Sequence, residues 1–492
     1  KGDLDLSKIS KGNLIDLKTI TSLSDLQAKV AALPENNGVP SAFDGKTYTL
    51  TKGVDTLTGT AKDDKFVAGD LTDAGGTSTT FTVGDNINGG AGTDVLEWIQ
   101  TAAITAIPTA SKISNVEYIN VTSGGAITLD TTGSNITGLE KLTTTNKGFD
   151  QTLTASATQD VDATIEGAAA ASVTGGKNVK VTSKDNALTA SDVTVTNAAG
   201  TVTTVINDGY VDANAAAAAT TTLGNTVITG GTKINASSKV EFTAAQITAA
   251  KTIVLANQDT VAQGTVKVTG NASTTEVTVS QTAAVAKQGY VAAVAGTNVK
   301  VDGKIGVTAG TVTIADANSA STTDAGTITT VTLNNYGNST INSGALTTVN
   351  LEGTAGTLGI TAGALTTAKV DTLGLNLKGL SYVNAGNNNA ITVNGTNYKT
   401  LNIDSSTKAS TVSSLVAASA TKINVSGDAK LTISGASTLT AVKDIVVTNT
   451  AGFDAGTTAI GAAVNFTGGA GADAVVLSNL FEKAITMGAG ND

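Results

Sequence analysis

The feature that most limits what this chain can fold into is a short apolar–polar–apolar strand that returns at an interval near 20 residues. Ile119-Asn120-Val121, Val349-Asn350-Leu351, Leu401-Asn402-Ile403 and Ile423-Asn424-Val425 carry it with a central Asn, and Ile445-Val446-Val447 continues it. The last three begin 22 residues apart. Two copies of a turn with flanking apolar residues, Ile113 to Glu117 and Ile136 to Glu140, repeat in the same way. Between these marks the pattern has period two, as in Val266 and Val268, Val277 and Val279, and Leu431 and Ile433. Such strands have one apolar face. An inexact period of this length is the mark of a solenoid whose rungs stack strand on strand. The competing architecture is a row of β-sandwich domains. Sandwiches of roughly 100 residues are usually built around a bulky, often aromatic centre, and this chain has 1 Trp in 492 residues and 3% aromatics. Stacked rungs account better for small Thr, Ala and Val. The recurrent Asn fits a ladder of side-chain amides running from rung to rung.

The expected fold class is therefore all-β: an elongated parallel β-solenoid or β-roll from about Lys46 onward. Residues 1–45 read differently. Ser22-Leu23-Ser24-Asp25 is a helix start, Leu23, Leu26, Val30 and Leu33 fall at helical spacing, and Pro34 ends the run. A short helix there makes 1–45 a connector or the tail of an upstream anchoring domain. The remaining expectations are a calcium-binding β-roll opening at 46–130, solenoid rungs at 131–460, and the start of a second repeat block at 461–492. That block breaks off inside a motif, so the chain reads as a fragment or processed piece of something longer.

Three absences narrow the chemistry. There is no Cys and no His, and all 30 basic residues are Lys. Cys/His zinc sites, haem and iron–sulfur ligation, Ser-His-Asp and Cys-His catalysis and Arg clamps on phosphate cannot be built. Glu117 and Glu140 are a carboxylate pair by residue type, but their equivalent places in the repeat make structure the better account, and no enzyme is expected. A net charge of −10 speaks against nucleic acid and for hard cations.

The sharpest motif is Gly89-Gly90-Ala91-Gly92-Thr93-Asp94-Val95-Leu96-Glu97, a full match to G-G-x-G-x-D-x-U-x. A second copy runs from Gly468 and Ala470 through Asp473 to Val476, and a partial third ends the chain with Gly488, Gly490 and Asp492. A degenerate copy stands at Gly59, Ala61, Asp63, Asp64 and Phe66, with Asp64 and Asp94 30 residues apart. Asp55 and Asp85 share that interval. Glycines allow tight turns that bring carbonyl oxygens inward, and the sixth-position Asp adds charge. Ca2+ takes six to eight oxygen ligands, so carbonyls and carboxylates of adjacent turns suit it. The expected metal-site residues are Gly59, Ala61, Asp63, Asp64, Asp85, Gly89, Ala91, Asp94, Gly468, Ala470, Asp473, Gly488, Gly490 and Asp492. The plain alternative is that Gly-Asp turns recur in any Gly-rich β protein.

Asp55 to Thr60, Phe66 to Gly69, Gly89 to Leu96 with Trp98, Val121 to Gly124, Ala345 to Leu351 and Ser413 to Ala418 together resemble the RTX-type bacterial surface-layer proteins. That group includes the surface-layer protein of Caulobacter and the surface-array proteins of Campylobacter, whose Lys-rich, Arg-free composition is similar. The resemblance covers most of Lys46–Asp492 and rests on the order of low-complexity motifs. It implies a type I-secreted structural protein of a calcium-dependent two-dimensional layer on the cell surface. Its partners would be other copies of itself and lipopolysaccharide, the latter through an N-terminal domain largely outside this chain. The alternative is a calcium-stabilised adhesin or stalk of a type I-secreted protein.

Overall fold

The computed structural model describes residues 45–492, except 168, 186–191, 210–219, 242–259, 282–287, 295–296, 304–305, 368, 383–387 and 396. The helix expected at residues 22–33 lies outside the described residues. Among the described residues there is no helix, and long parallel sheets take its place. The chain is an all-β parallel solenoid. Its described residues divide into two compact units, those up to 146 with 153–162, and those of 147–152 with 163–492.

In the first unit one sheet takes Thr47–Thr49, Lys65–Asp73, Val95–Gln100, Tyr118–Ser123 and Lys141–Lys147 in chain order. A second takes Thr56–Thr58, Asn86–Asn88, Lys112–Ser114 and Ile136–Thr137, also all parallel. Each circuit of the chain thus leaves one strand on each sheet, and in-register stacking lines up like residues. Phe66, Leu96, Ile119 and Leu142 form one inward column, each of them 0–1% exposed. Leu57, Ile87, Ile113 and Ile136 form its counterpart on the second sheet. Alternation places these apolar residues inside and Thr, Lys or Asn outside, which is what period-two sequence dictates. The few aromatics close this end of the core: Tyr48 stacks on Phe66 with centroids 5.1 Å apart, and Phe81 meets Trp98 edge-on at 5.0 Å. Surplus chain leaves the roll as an antiparallel arm, where the end of Lys65–Asp73 pairs with Gly76–Thr79.

The second unit repeats this plan over many more circuits. From Val179–Asp185 through Glu276–Gln281, Thr348–Ala355 and Thr400–Ser405 to Ile485–Thr486, every pairing along its first sheet is parallel and joins successive rungs. Val277, Val331, Val349, Leu375, Ile403, Val425 and Val447 form one buried column. A second sheet runs from Ala171–Gly175 to Leu415–Val416 and is continued only by the single bridge Val416–Thr438. A third sheet takes over beside it: Ser410–Val412, Leu431–Ile433, Phe453–Ile460 and Ala474–Leu477.

The Asn residues form short ladders on the outer face. Asn376 Nδ2 donates to Asn350 Oδ1 at 2.8 Å, and Asn424 Nδ2 to Asn402 Oδ1 at 2.7 Å. Asn120 Nδ2 instead reaches Glu97 Oε1 at 3.0 Å. The parallel register puts equivalent side chains one strand spacing apart, close enough for amides to bond in series.

Candidate metal centre at the Gly-Asp turns

The turns Gly59–Asp64 and Gly89–Asp94 each link a strand of the second sheet to one of the first, and they stack because both sheets are in register. Their first glycines are required by that stacking. A Cβ on Gly59 would lie 1.8 Å from Gly89 O, and one on Gly89 would lie 1.8 Å from Asn115 O and 2.3 Å from Asp94 Oδ2. Gly468 repeats this against Met487 O, at 2.0 Å. Any side chain there would push neighbouring turns apart.

The sixth-position carboxylates point into the turn stack and are fully buried: Asp64 and Asp94 are each 0% exposed. Each accepts the amide of its counterpart one turn back. Lys46 N donates to Asp64 Oδ1, Asp64 N to Asp94 Oδ1 at 2.7 Å, and Asp94 N to Glu117 Oε2 at 2.7 Å. Asp63 joins from the side by accepting Thr93 N at 2.8 Å. Asp63, Asp64, Asp94 and Glu117 are therefore one group. Glu117 occupies the repeat position of the motif aspartate without the motif, which is why the pattern alone did not enrol it.

Asp64 and Asp94 differ in one respect that decides their electrostatics. Asp64 Oδ2 accepts both the amide and the hydroxyl of Thr60. In the next turn the residue at that place is Gly90, which has no hydroxyl, and its amide turns to Asn88 Oδ1 at 3.2 Å. Asp94 Oδ2 is left buried with no hydrogen-bond partner. Burial is the largest influence on both groups, and it pushes both pKa values up. At Asp64 it is outweighed by the Lys46 amide, the Thr60 amide and hydroxyl and the Lys46 charge, so its pKa lies below 3.8. At Asp94 burial is opposed only by the Asp64 amide and reinforced by the charges of Glu117, Asp64 and Asp63, and the pKa rises to about 6.

The other expected residues lie elsewhere or are already engaged. Asp85 sits at the opposite end of the strand Asn86–Asn88, where its oxygens accept Asp55 N at 2.7 Å and Thr82 N at 2.6 Å. It belongs to a parallel column of turn caps outside the Asp94 group. Asp473 is 2% exposed and accepts Phe453 N and Gly469 N, both at 2.8 Å, while its own amide donates to Asp492 Oδ1 at 2.8 Å. This second block reproduces the ladder without an orphaned oxygen on Asp473. Ala61, Ala91 and Ala470 are exposed at the turn tips. Ala91 N donates to Thr60 O at 3.1 Å, and between Gly488 and Gly490 the amide of Ala489 donates to Gly469 O at 2.8 Å.

Among the described residues no three His, Cys, Asp or Glu side chains gather as a metal-binding group. A hard cation at these turns would have to be held by one or two carboxylates completed with backbone carbonyls, which Ca2+ accepts. The residues fit such an ion at one point, Asp94 Oδ2, where a buried acceptor has negative neighbours and no donor. At the other Gly-Asp turns Asp64 and Asp473 already serve as backbone caps. No family model and no curated protein matches the chain.

Proposed function

We propose that this chain is a structural protein of a secreted, calcium-dependent surface layer, self-assembling through lateral contacts between copies. The observation that carries the reading is the Asp63–Asp64–Asp94–Glu117 group: stacked carboxylates on a parallel solenoid, two of them, Asp64 and Asp94, fully buried, with one oxygen of Asp94 that lacks a partner. Asp94, through its unpartnered Oδ2, would hold Ca2+ together with turn carbonyls, and the ion would supply the positive charge that the turn stack lacks. Composition supports the same reading. A chain without His, Cys or Arg has little catalytic chemistry, and rungs built of Thr, Val and Ala offer long, repetitive, inert faces.

The consequence of such a site is linkage. An ion bound only by the folded form stabilises it by RT ln(1 + [L]/Kd), about 2.7 kcal/mol per site at a hundredfold excess over Kd. Scarce cytosolic calcium would leave the chain loosely held before export, and abundant calcium outside would tighten it. Neutralising part of the −10 charge also reduces repulsion between neighbouring copies. Two measurements test the reading. Thermal unfolding with calcium against chelator should show a higher transition with calcium, and an unchanged transition removes the ion from the account. Electron micrographs of the purified chain with calcium should show two-dimensional sheets. Calcium-dependent stability without sheets would favour a stalk or adhesin over a lattice.

A further inference from the structure

The C-terminal part of the second unit contains an apolar cavity of about 620 Å³, far larger than packing voids in a well-filled core. Its walls are Ile403, Val425 and Ile445 from the first sheet and Ile433, Phe453 and Ile460 from the third. The adjoining stretch of core is solid: the space among Leu375, Leu377, Ile391 and Leu431 amounts to about 10 Å³.

Three local causes open it. The second sheet, which walls the earlier rungs, ends here at Leu415–Val416 and the single bridge to Thr438. Strand Phe453–Ile460 bulges against its neighbour: Asp454 pairs with Ala474 and Ala459 with Val476, so five residues of advance on one side face two on the other. The bulge and the loop after it supply Ala455, Ala459, Gly461, Ala462 and Ala463, side chains too small to refill the space. The cavity reaches the surface where Thr438, Thr440, Ala459, Gly461 and Ala463 are exposed.

Its chemistry selects the occupant. No lining residue is charged. Of the three lining hydroxyls, Ser437 Oγ accepts Leu415 N at 3.0 Å and Thr440 Oγ1 donates to Ala418 O at 3.3 Å, so two are already engaged. Water would find few partners inside, and apolar cavities of this kind take up apolar guests. The volume falls in the range of ligand pockets and is about four times that of the roughly 150 Å³ cavity known to hold benzene. We propose that this cavity binds a single neutral alkyl chain, with any polar end left at the Thr438–Thr440 mouth. The chain could come from a soluble amphiphile or from the acyl tail of a membrane lipid.

The test uses the full chain and the neutral probe nile red, displaced by a series of straight-chain alcohols up to dodecanol. Nile red fluorescence should rise on binding, and each added methylene should tighten displacement roughly three- to fourfold until the cavity is full. Ala455→Leu fills the interior and Ala459→Leu the mouth. Each should weaken dodecanol binding at least tenfold while leaving the circular dichroism spectrum unchanged. If Ala455→Leu does not fold, Ala459→Leu carries the comparison. Phosphatidylcholine vesicles form a second arm. Dodecanol binding without transfer of lipid from vesicles identifies a soluble source, and lipid transfer blocked by either variant identifies a bilayer source. Failure of the wild-type chain to bind dodecanol, or equal binding by wild type and a folded variant, overturns the proposal.

Discussion

Asp94→Asn isolates the one carboxylate that the turn stack leaves uncompensated. Its pKa is raised from 3.8 to about 6, and every tenfold change in proton affinity corresponds to about 1.4 kcal/mol between protonation states. The raised value means that the folded form holds the proton more tightly than the unfolded chain does. This contribution to stability is fully present below pH ~4 and is lost as pH rises through about 6. At pH 7, with calcium chelated, the ionised group costs the fold up to about 3 kcal/mol. Asparagine keeps an oxygen for the Asp64 amide and removes the charge. In chelator at pH 7 the variant should therefore be more stable than wild type, by ~3 kcal/mol at most. Between pH 5 and 7 the wild type should lose stability relative to the variant, and calcium should raise the transition of the wild type alone. Urea unfolding followed by circular dichroism at the two pH values, with chelator and with calcium, gives all four comparisons. A variant less stable than wild type in chelator at pH 7, or parallel pH profiles, would refute the assignment of Asp94 as an uncompensated buried anion.

Gly89→Ala should destabilise the chain by about 1–3 kcal/mol through overpacking, because its Cβ would lie 1.8 Å from Asn115 O, whereas Gly53→Ala, whose nearest neighbour is Thr51 Oγ1 at 3.7 Å, should be close to neutral in the same thermal assay. Asp473→Ala strips the acceptors from Phe453 N and Gly469 N and should cost roughly 1–3 kcal/mol for each donor left buried. Asp428→Ala frees only Thr407 N at an exposed turn and should stay within ~0.5 kcal/mol. Equal losses from the two would show that the motif aspartate has no special place in the stack.

Much of this architecture is legible in the amino-acid order, because a parallel solenoid turns sequence period into spatial register. The recurrence that links Leu401, Ile423 and Ile445 corresponds to pairings seen in the structure, and the 30-residue interval from Asp64 to Asp94 is the interval of their hydrogen bond. What the motif could not reveal is the partner of each carboxylate. A sixth-position Asp looks the same whether its oxygens meet amides of the adjoining turn or nothing at all. The deciding difference lies at the second position of the motif, Thr60 against Gly90, and acts through hydrogen bonds that form only once the turns are stacked. The handover from the second sheet to the third was likewise hidden. It depends on where a bulge falls in Phe453–Ile460, and a run of Ala and Gly records small volume without recording that the neighbouring wall has ended.

The antiparallel hairpin Gln288–Val294 with Thr297–Gly303 falls in the chain between two strands that still pair in unbroken register. Glu276 faces Thr330 and Val277 faces Val331, although 54 residues separate each pair. The entropic penalty of closing a longer excursion grows only with the logarithm of its length, while the register is enforced by the inward column of Val and Leu. The chain can therefore lengthen or rewrite such arms without disturbing the rungs. A protein built this way can take up new chain between two rungs while its scaffold stays the same, and the 54 residues from Glu276 to Thr330 show how much length one such interval already holds.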